Sequence, residues 1–183
     1  MSLLDDIKNA AGRGVGELEI LLHGPLAPHR NYTAEFDPLR NLWRGSWPDK
    51  IRLEAMKARG IQNVINFCAE REQNALVHSL GMYSINMPVV DETPPTLKDV
   101  AELLQLLHPG YWHCGAGVGR TGCFVAAYRV LVEGWQPQQA LMEAITYGHL
   151  TPSQHNFILS LDNGANKPLS MLSLKSKGRV QRQ

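Results

Sequence analysis

His113-Cys114-Gly115-Ala116-Gly117-Val118-Gly119-Arg120-Thr121-Gly122 places one cysteine six residues before one arginine, with three glycines and an alanine filling most of the gap. Small residues let a backbone turn tightly enough for successive N–H groups to converge on one anion. A helix opening near Gly119 adds the positive end of its dipole to the same point. Cys114 then lies at the floor of an anion cradle, where the field that attracts phosphate also favours thiolate over thiol. Arg120 closes the ring, because its planar fork matches two phosphate oxygens. A thiolate beneath a bound phosphate is a nucleophile aimed at phosphorus.

Outward from this loop, short strands alternate with helices, the pattern of an α/β sandwich. Residues 41–44 read as a short strand, and Pro48-Asp49 open a helix that Gly60 ends. Residues 62–67 form a second strand, β-branched and apolar at its centre. A helix runs to about Leu80, with Gly81 as its stop. The strand over residues 83–87 loses its pairing at Pro88, and Thr96 caps a helix with Leu97, Val100, Ala101, Leu104 and Leu107 on its apolar face. Tyr111-Trp112-His113 leads into the loop, and Phe124, Ala127, Val130 and Leu131 line the helix after it, up to Gly134. Helices over 137–147 and from Thr151 follow. Before residue 41 the pattern is weaker: Ser2 caps a helix through Ala10, and residues 18–22 suit a strand.

Composition fits one ordinary globular domain. The chain has 183 residues, 44% hydrophobic and 19% charged. No run of about 18 apolar residues suits a membrane span, and the early acids Asp5 and Asp6 argue against a signal peptide. Cys68, Cys114 and Cys123 make neither a disulfide framework nor a zinc spacing, so a reducing cytoplasm is expected. The net charge of +1 conceals five basic residues and no acid within 165–183, leaving 13 basic against 17 acidic residues in the body. That stretch reads as a solvated, disordered tail rather than a nucleic-acid or membrane contact.

The His-Cys-x5-Arg-Thr-Gly string resembles the signature of the cysteine-dependent tyrosine and dual-specificity phosphatases. A bare Cys-x5-Arg also occurs in rhodanese-like and arsenate-reductase-like loops; the flanking His113, Thr121 and Gly122 carry the distinction. Tyr128-Arg129-Val130 through Gly134-Trp135 resembles the short bacterial dual-specificity-like enzymes, and further motifs resemble the phosphatase-and-tensin-homologue lipid phosphatases. These are Asn66-Phe67-Cys68-Ala69-Glu70-Arg71, the lid Val90-Asp91-Glu92-Thr93-Pro94-Pro95, and Thr151-Pro152-Ser153-Gln154. The resemblance covers roughly residues 40–162. It implies an α/β fold with a central short mixed sheet flanked by helices. It divides the chain into an N-terminal arm (1–40), a phosphatase domain (41–164) and the tail (165–183).

The resemblance also implies roles. Cys114 attacks phosphorus, Arg120 holds the phosphate, and Asp91 protonates the leaving oxygen, with Glu92 as the alternative acid. Gly115, Ala116, Gly117, Val118 and Gly119 wrap the phosphate with their amides. Thr121 hydrogen-bonds the sulfur, His113 supports the loop, and Gln154 positions water. Cys68 is the implied disulfide partner of an oxidised Cys114. Each role has a plainer reading: His113 and Cys68 as core residues, Asp91 and Glu92 as solvated loop acids, and Thr151 with Gln154 as a capping box. No metal or other cofactor is needed.

The lipid phosphatases carry lysines in this loop, whereas none lies between Cys114 and Arg120, and Glu92 stands where their lid has a histidine. Highly phosphorylated inositides would meet no added cation there and one added acid. The expected substrate is therefore a phosphorylated protein, phosphotyrosine above all, with dual specificity as an extension. Three alternatives stay open: a phosphoinositide phosphatase, an RNA 5′-phosphate phosphatase, and a silent phosphate-binding module.

Overall fold

A computed structural model describes residues 32–106 and 109–161. The proposed helix from Ser2, the strand over 18–22 and the basic tail lie outside the described residues. The order of elements is β1 (Thr33–Asp37), β2 (Leu42–Gly45), α1 (Lys50–Ala58), β3 (Asn63–Cys68), α2 (Asn74–Ser79), β4 (Tyr83–Val89), α3 (Leu97–Gln105), β5 (Gly110–His113), α4 (Gly119–Leu131), α5 (Pro137–Thr146) and α6 (Pro152–Ser160). The strands make one mixed sheet in the order β1-β2-β5-β3-β4. β1 runs antiparallel to β2, and the other neighbours are parallel. The expected mixed sheet is therefore present. It begins earlier than residue 41, because β1 occupies the end of the segment read as an arm.

Alternation along the strands splits the core in two. Trp43, Val64 and Tyr111 face Leu53 and Met56 of α1 and Val77 of α2. Leu42, Ile65, Phe67 and Trp112 face α3, α4, α5 and α6. Phe67 stacks on Phe124 of α4 with ring centroids 4.1 Å apart. α4 is buried almost all round, from Arg120 through Tyr128, rather than along the single stripe that the sequence suggests. It is the central helix, enclosed by the sheet and its neighbouring helices.

Two local expectations are corrected. β4 continues through Pro88 to Val89, with an irregular register opposite Asn66 and Cys68. β4 is the sheet edge, where a missing N–H interrupts no ladder, so proline is tolerated. On α3 the inward positions are Val100 and Leu103, while Leu97 is exposed. Thr96 caps that helix with Asp99 in a reciprocal box. β1 is tied to the centre by Asp37, which accepts hydrogen bonds from Arg40 (2.8 Å) and from Tyr128 of α4.

Candidate active site

Cys114 follows β5 at the carboxyl end of the parallel strands, where open α/β sheets bind ligands. Pairing of β5 with β2 and β3 brings Arg44 opposite Trp112, Gly45 opposite His113, and Asn66 opposite His113. The loop thus rests between the ends of two neighbouring strands.

Its carbonyls are held from outside. Gly115 O accepts from Trp47 N (2.9 Å), and Gly117 O accepts from Arg44 Nη2 (2.9 Å) and Tyr32 Oη (2.5 Å). Among the described residues, the N–H groups of residues 115–118 donate to no backbone carbonyl. They are therefore available to an anion. Gly117 has φ +75°, and a Cβ there would lie 2.4 Å from Gly45 C and O. Only glycine permits both that turn and that approach. Arg44 itself is fully buried, with its guanidinium 3.7 Å from the Tyr147 ring centroid.

Arg120 is 3% exposed at the first turn of α4. Glu70 grips it with both carboxylate oxygens, at 2.6 Å from Nη1 and 2.9 Å from Nη2. Val89 O accepts from Nη1 at 3.2 Å, and Asp91 Oδ1 lies 3.0 Å from Nη2. Arg120 Nε has no partner among the described residues. The Arg120 guanidinium holds the Glu70 carboxyl down at about 2.

His113 is buried, and burial pushes its imidazole down to about 3. It is therefore neutral and carries one N–H. Cys114 O, 3.5 Å from Nδ1, can only accept, so Nδ1 is the donor and Nε2 accepts from Gln73 Nε2 at 3.3 Å. Thr121 Oγ1 is buried without a hydrogen-bond partner among the described residues.

The lid is clasped to α6. Glu92, at φ +61°, offers its carbonyl to Thr151 Oγ1 (2.9 Å), and Thr93 O accepts from Gln154 Nε2 (3.3 Å). Thr151 and Gln154 also make the capping box expected from sequence. Gln154 packs on the loop as well, since a Cβ on Gly119 would lie 2.7 Å from its Nε2.

The structure thus gathers Cys114, Arg120, Asp91, His113, Thr121 and Gln154 with residues 115–119. Cys68 closes β3 beside the strand that leads to Cys114, and burial raises its thiol to about 11. Cys123 is buried inside α4. The sequence reading assigned no role to Arg44, Tyr32, Gln73, Glu70 or Arg71. Glu70 carried one usable signal, its place just past the carboxyl end of a strand.

Among the described residues there is no cluster of three or more His, Cys, Asp and Glu able to hold a metal ion. No described helix is long and apolar enough to cross a membrane.

A family model described as "DSP-PTPase phosphatase fused to NAD+ Kinase" matches residues 29–160. The tyrosine-protein phosphatase cdcA of Emericella nidulans is 29% identical over 150 residues, covering 73% of this chain and 25% of its own length. The dual specificity protein phosphatase TpbA of Pseudomonas aeruginosa (strain UCBPP-PA14) is 28% identical, covering 56% of this chain and 49% of that protein. The chain therefore spans between a quarter and a half of these two relatives. The human phosphatidylglycerophosphatase and protein-tyrosine phosphatase 1 is 28% identical, with 71% and 73% covered. Among solved structures, P. aeruginosa TpbA in complex with phosphotyrosine superposes with a TM-score of 0.59 at 21% identity, over 80% of this chain and 98% of that one. PTPMT1 in complex with PI(5)P gives 0.59 at 20% identity, over 71% and 94%. With the phosphate loop, its arginine and the covering lid on one face of this fold, the chain belongs to the cysteine-dependent dual-specificity and tyrosine phosphatase superfamily.

Proposed function

We propose that this chain hydrolyses phosphotyrosine monoesters through a phosphocysteine intermediate. The observation that carries the reading is the convergence on Arg120: Cys114 opens the loop that Arg120 closes, and Asp91 of the lid lies 3.0 Å from its Nη2.

In the first step the Cys114 thiolate forms a bond to phosphorus while the phosphorus–oxygen ester bond breaks. The leaving oxygen takes its proton from the Asp91 carboxyl. Arg120 Nε and the inward amides hold the equatorial oxygens, where charge develops in the transition state. The incoming phosphate displaces Asp91 from Nη2, while Glu70 and Val89 O keep the guanidinium in place. In the second step Asp91, now a carboxylate, takes a proton from water as that water attacks phosphorus. The sulfur–phosphorus bond breaks, releasing phosphate and restoring the thiolate. Thr121 Oγ1, buried and unpartnered, is suited to hydrogen-bond the departing sulfur. Gln154, packed on Gly119 beneath the lid, is suited to position the water.

The names of relatives support both a protein and a lipid substrate. TpbA was crystallised with phosphotyrosine and PTPMT1 with PI(5)P. The loop here lacks lysine, and the lid places Glu92 beside Asp91. Both features favour the less charged monoester. The test is kcat/KM on phosphotyrosine peptides, phosphoserine peptides and phosphoinositide vesicles. Phosphotyrosine peptides should lead. A clear preference for phosphoinositides overturns the substrate class, and inertness toward every ester overturns catalysis itself.

A further inference from the structure

Beside the phosphate loop runs a groove of about 730 Å³, lined among others by Trp47, Lys50, Arg71, Gln73, Leu76 and Gly115. Gly115 belongs to the loop, so groove and phosphate cradle share a wall. The Arg71 guanidinium lies flat over Trp47, 3.9 Å from the ring centroid. Its Nη2 would be 3.2 Å from a Cβ on Gly115. The segment bearing it is pinned by Asn66 Nδ2, which donates to Arg71 O at 2.9 Å.

Arg71 makes no salt bridge with any described carboxylate. Its neighbour Glu70 is committed to Arg120. Two acids, Asp49 and Glu72, line the groove, and both are engaged locally. Asp49 accepts from Arg52 N (2.8 Å) as the cap of α1, and Glu72 accepts from Asn74 Nδ2 (2.7 Å). Lys50 sits 3.8 Å from Glu54 and keeps much of its surface in solvent. The groove thus presents one guanidinium that has no carboxylate partner among the described residues, held over an aromatic ring at the very edge of the phosphate site. An aromatic platform holds it flat, which lowers the entropy lost when it grips a carboxylate.

We infer that this groove is a second-anion subsite, in which Arg71 binds an acidic side chain flanking the phosphotyrosine of a protein substrate. The inference rests on the phosphotyrosine reading above. One carboxylate matches one guanidinium fork. A ring carrying further phosphates would bring more negative charge toward Asp49 and Glu72, which a single arginine does not offset. Gln73 and Leu76 line the same groove, giving a peptide chain beside the phosphotyrosine a surface to lie on. The absence of lysine between Cys114 and Arg120 therefore does not leave the mouth without a cation; Arg71 arrives there from another strand end.

The experiment compares phosphotyrosine peptides that carry Glu, Gln or Lys at the flanking positions, on the wild type and on Arg71→Ala, Arg71→Lys and Arg71→Glu. For the wild type, kcat/KM should favour the Glu peptide over the Gln peptide by about fivefold, the scale of a well-formed but solvent-accessible pair. The advantage should shrink at high salt. Arg71→Ala should bring the Glu-to-Gln ratio to about one, Arg71→Lys should retain part of it, and Arg71→Glu should turn the preference toward the Lys peptide. The ratio is unaffected by any general loss of activity in the variants. A wild-type ratio of one, or the same ratio in all four proteins, overturns the subsite while leaving phosphotyrosine hydrolysis standing. Failure on every phosphotyrosine peptide, with phosphoinositide vesicles turned over, overturns the substrate reading and the subsite together.

Discussion

Lowering the pH from 7 to 5 should cost this fold about 2 kcal/mol through His113 alone. Its imidazole is pushed down from 6.5 to about 3 because it is buried at the end of β5. The unfolded chain binds a proton at His113 below about 6.5 and the folded chain does not, so stability falls as pH falls through that window. At about 1.36 kcal/mol per pH unit, the one and a half units between 6.5 and 5 give the figure. Glu70 acts lower down: its depressed carboxyl supports the fold above about 4.5, and that support is lost toward about 2. Glu35 and Glu133, both raised by burial, act in the opposite sense. A paired comparison removes their contribution. Denaturant unfolding of the wild type and His113→Gln at pH 7, 6 and 5 is the measurement. The variant should be the weaker protein at pH 7, since the ring packs on Tyr111 and Trp47. Its stability should then decline less on acidification, by about 2 kcal/mol at pH 5. Equal slopes in the two proteins would refute the neutral, buried imidazole.

Three further outcomes concern the chemistry. Cys114→Ser should abolish turnover yet still bind phosphate or vanadate, and vanadate but not chelators should inhibit the wild type; near-normal turnover in the variant would remove the nucleophile. Asp91→Asn should lower kcat by about 10²-fold or more on a phosphotyrosine peptide and by less on an activated aryl phosphate. Equal losses, or a larger loss in Glu92→Gln, would take the acid role from Asp91. Peroxide should inactivate the enzyme reversibly, with peptide mapping joining Cys68 to Cys114 before irreversible oxidation; sulfinic or sulfonic Cys114 alone would leave Cys68 as a core thiol.

What the sequence made legible is what a contiguous run can encode. The ten residues from His113 to Gly122 hold the proposed nucleophile, the small-residue loop and the arginine in chain order. The punctuation by Asp49, Gly60, Gly81, Thr96 and Thr151 likewise marks real ends, because caps and left-handed turns are local chemistry. β1 escaped because Thr33–Asp37 is short and sits against glycine-, proline- and histidine-bearing sequence before it. β4 outran its proline because an edge strand tolerates one, and edge position is a property of the finished sheet.

The supports of the loop come from register, and register is not written in any one segment. Arg44 reaches Gly117 O because β2 pairs with β5 so that Gly45 stands opposite His113. Shifting that pairing by one residue would turn Arg44 to the other face of the sheet. Glu70 meets Arg120 because β3 flanks β5 on its other side and, with Asn66 opposite His113, runs on past it to Cys68. The same geometry explains why counting cations within the loop misjudges its mouth. The field at a phosphate site is the sum over every strand end that converges there. Here β2 supplies Arg44 behind the loop, and the segment after β3 supplies Glu70 and Arg71 beside it. Glu70 steadies the Arg120 guanidinium, while the adjacent Arg71 guanidinium at the rim has no carboxylate partner among the described residues. Two consecutive residues therefore divide the labour, Glu70 holding Arg120 in position and Arg71 left to meet the rest of the substrate.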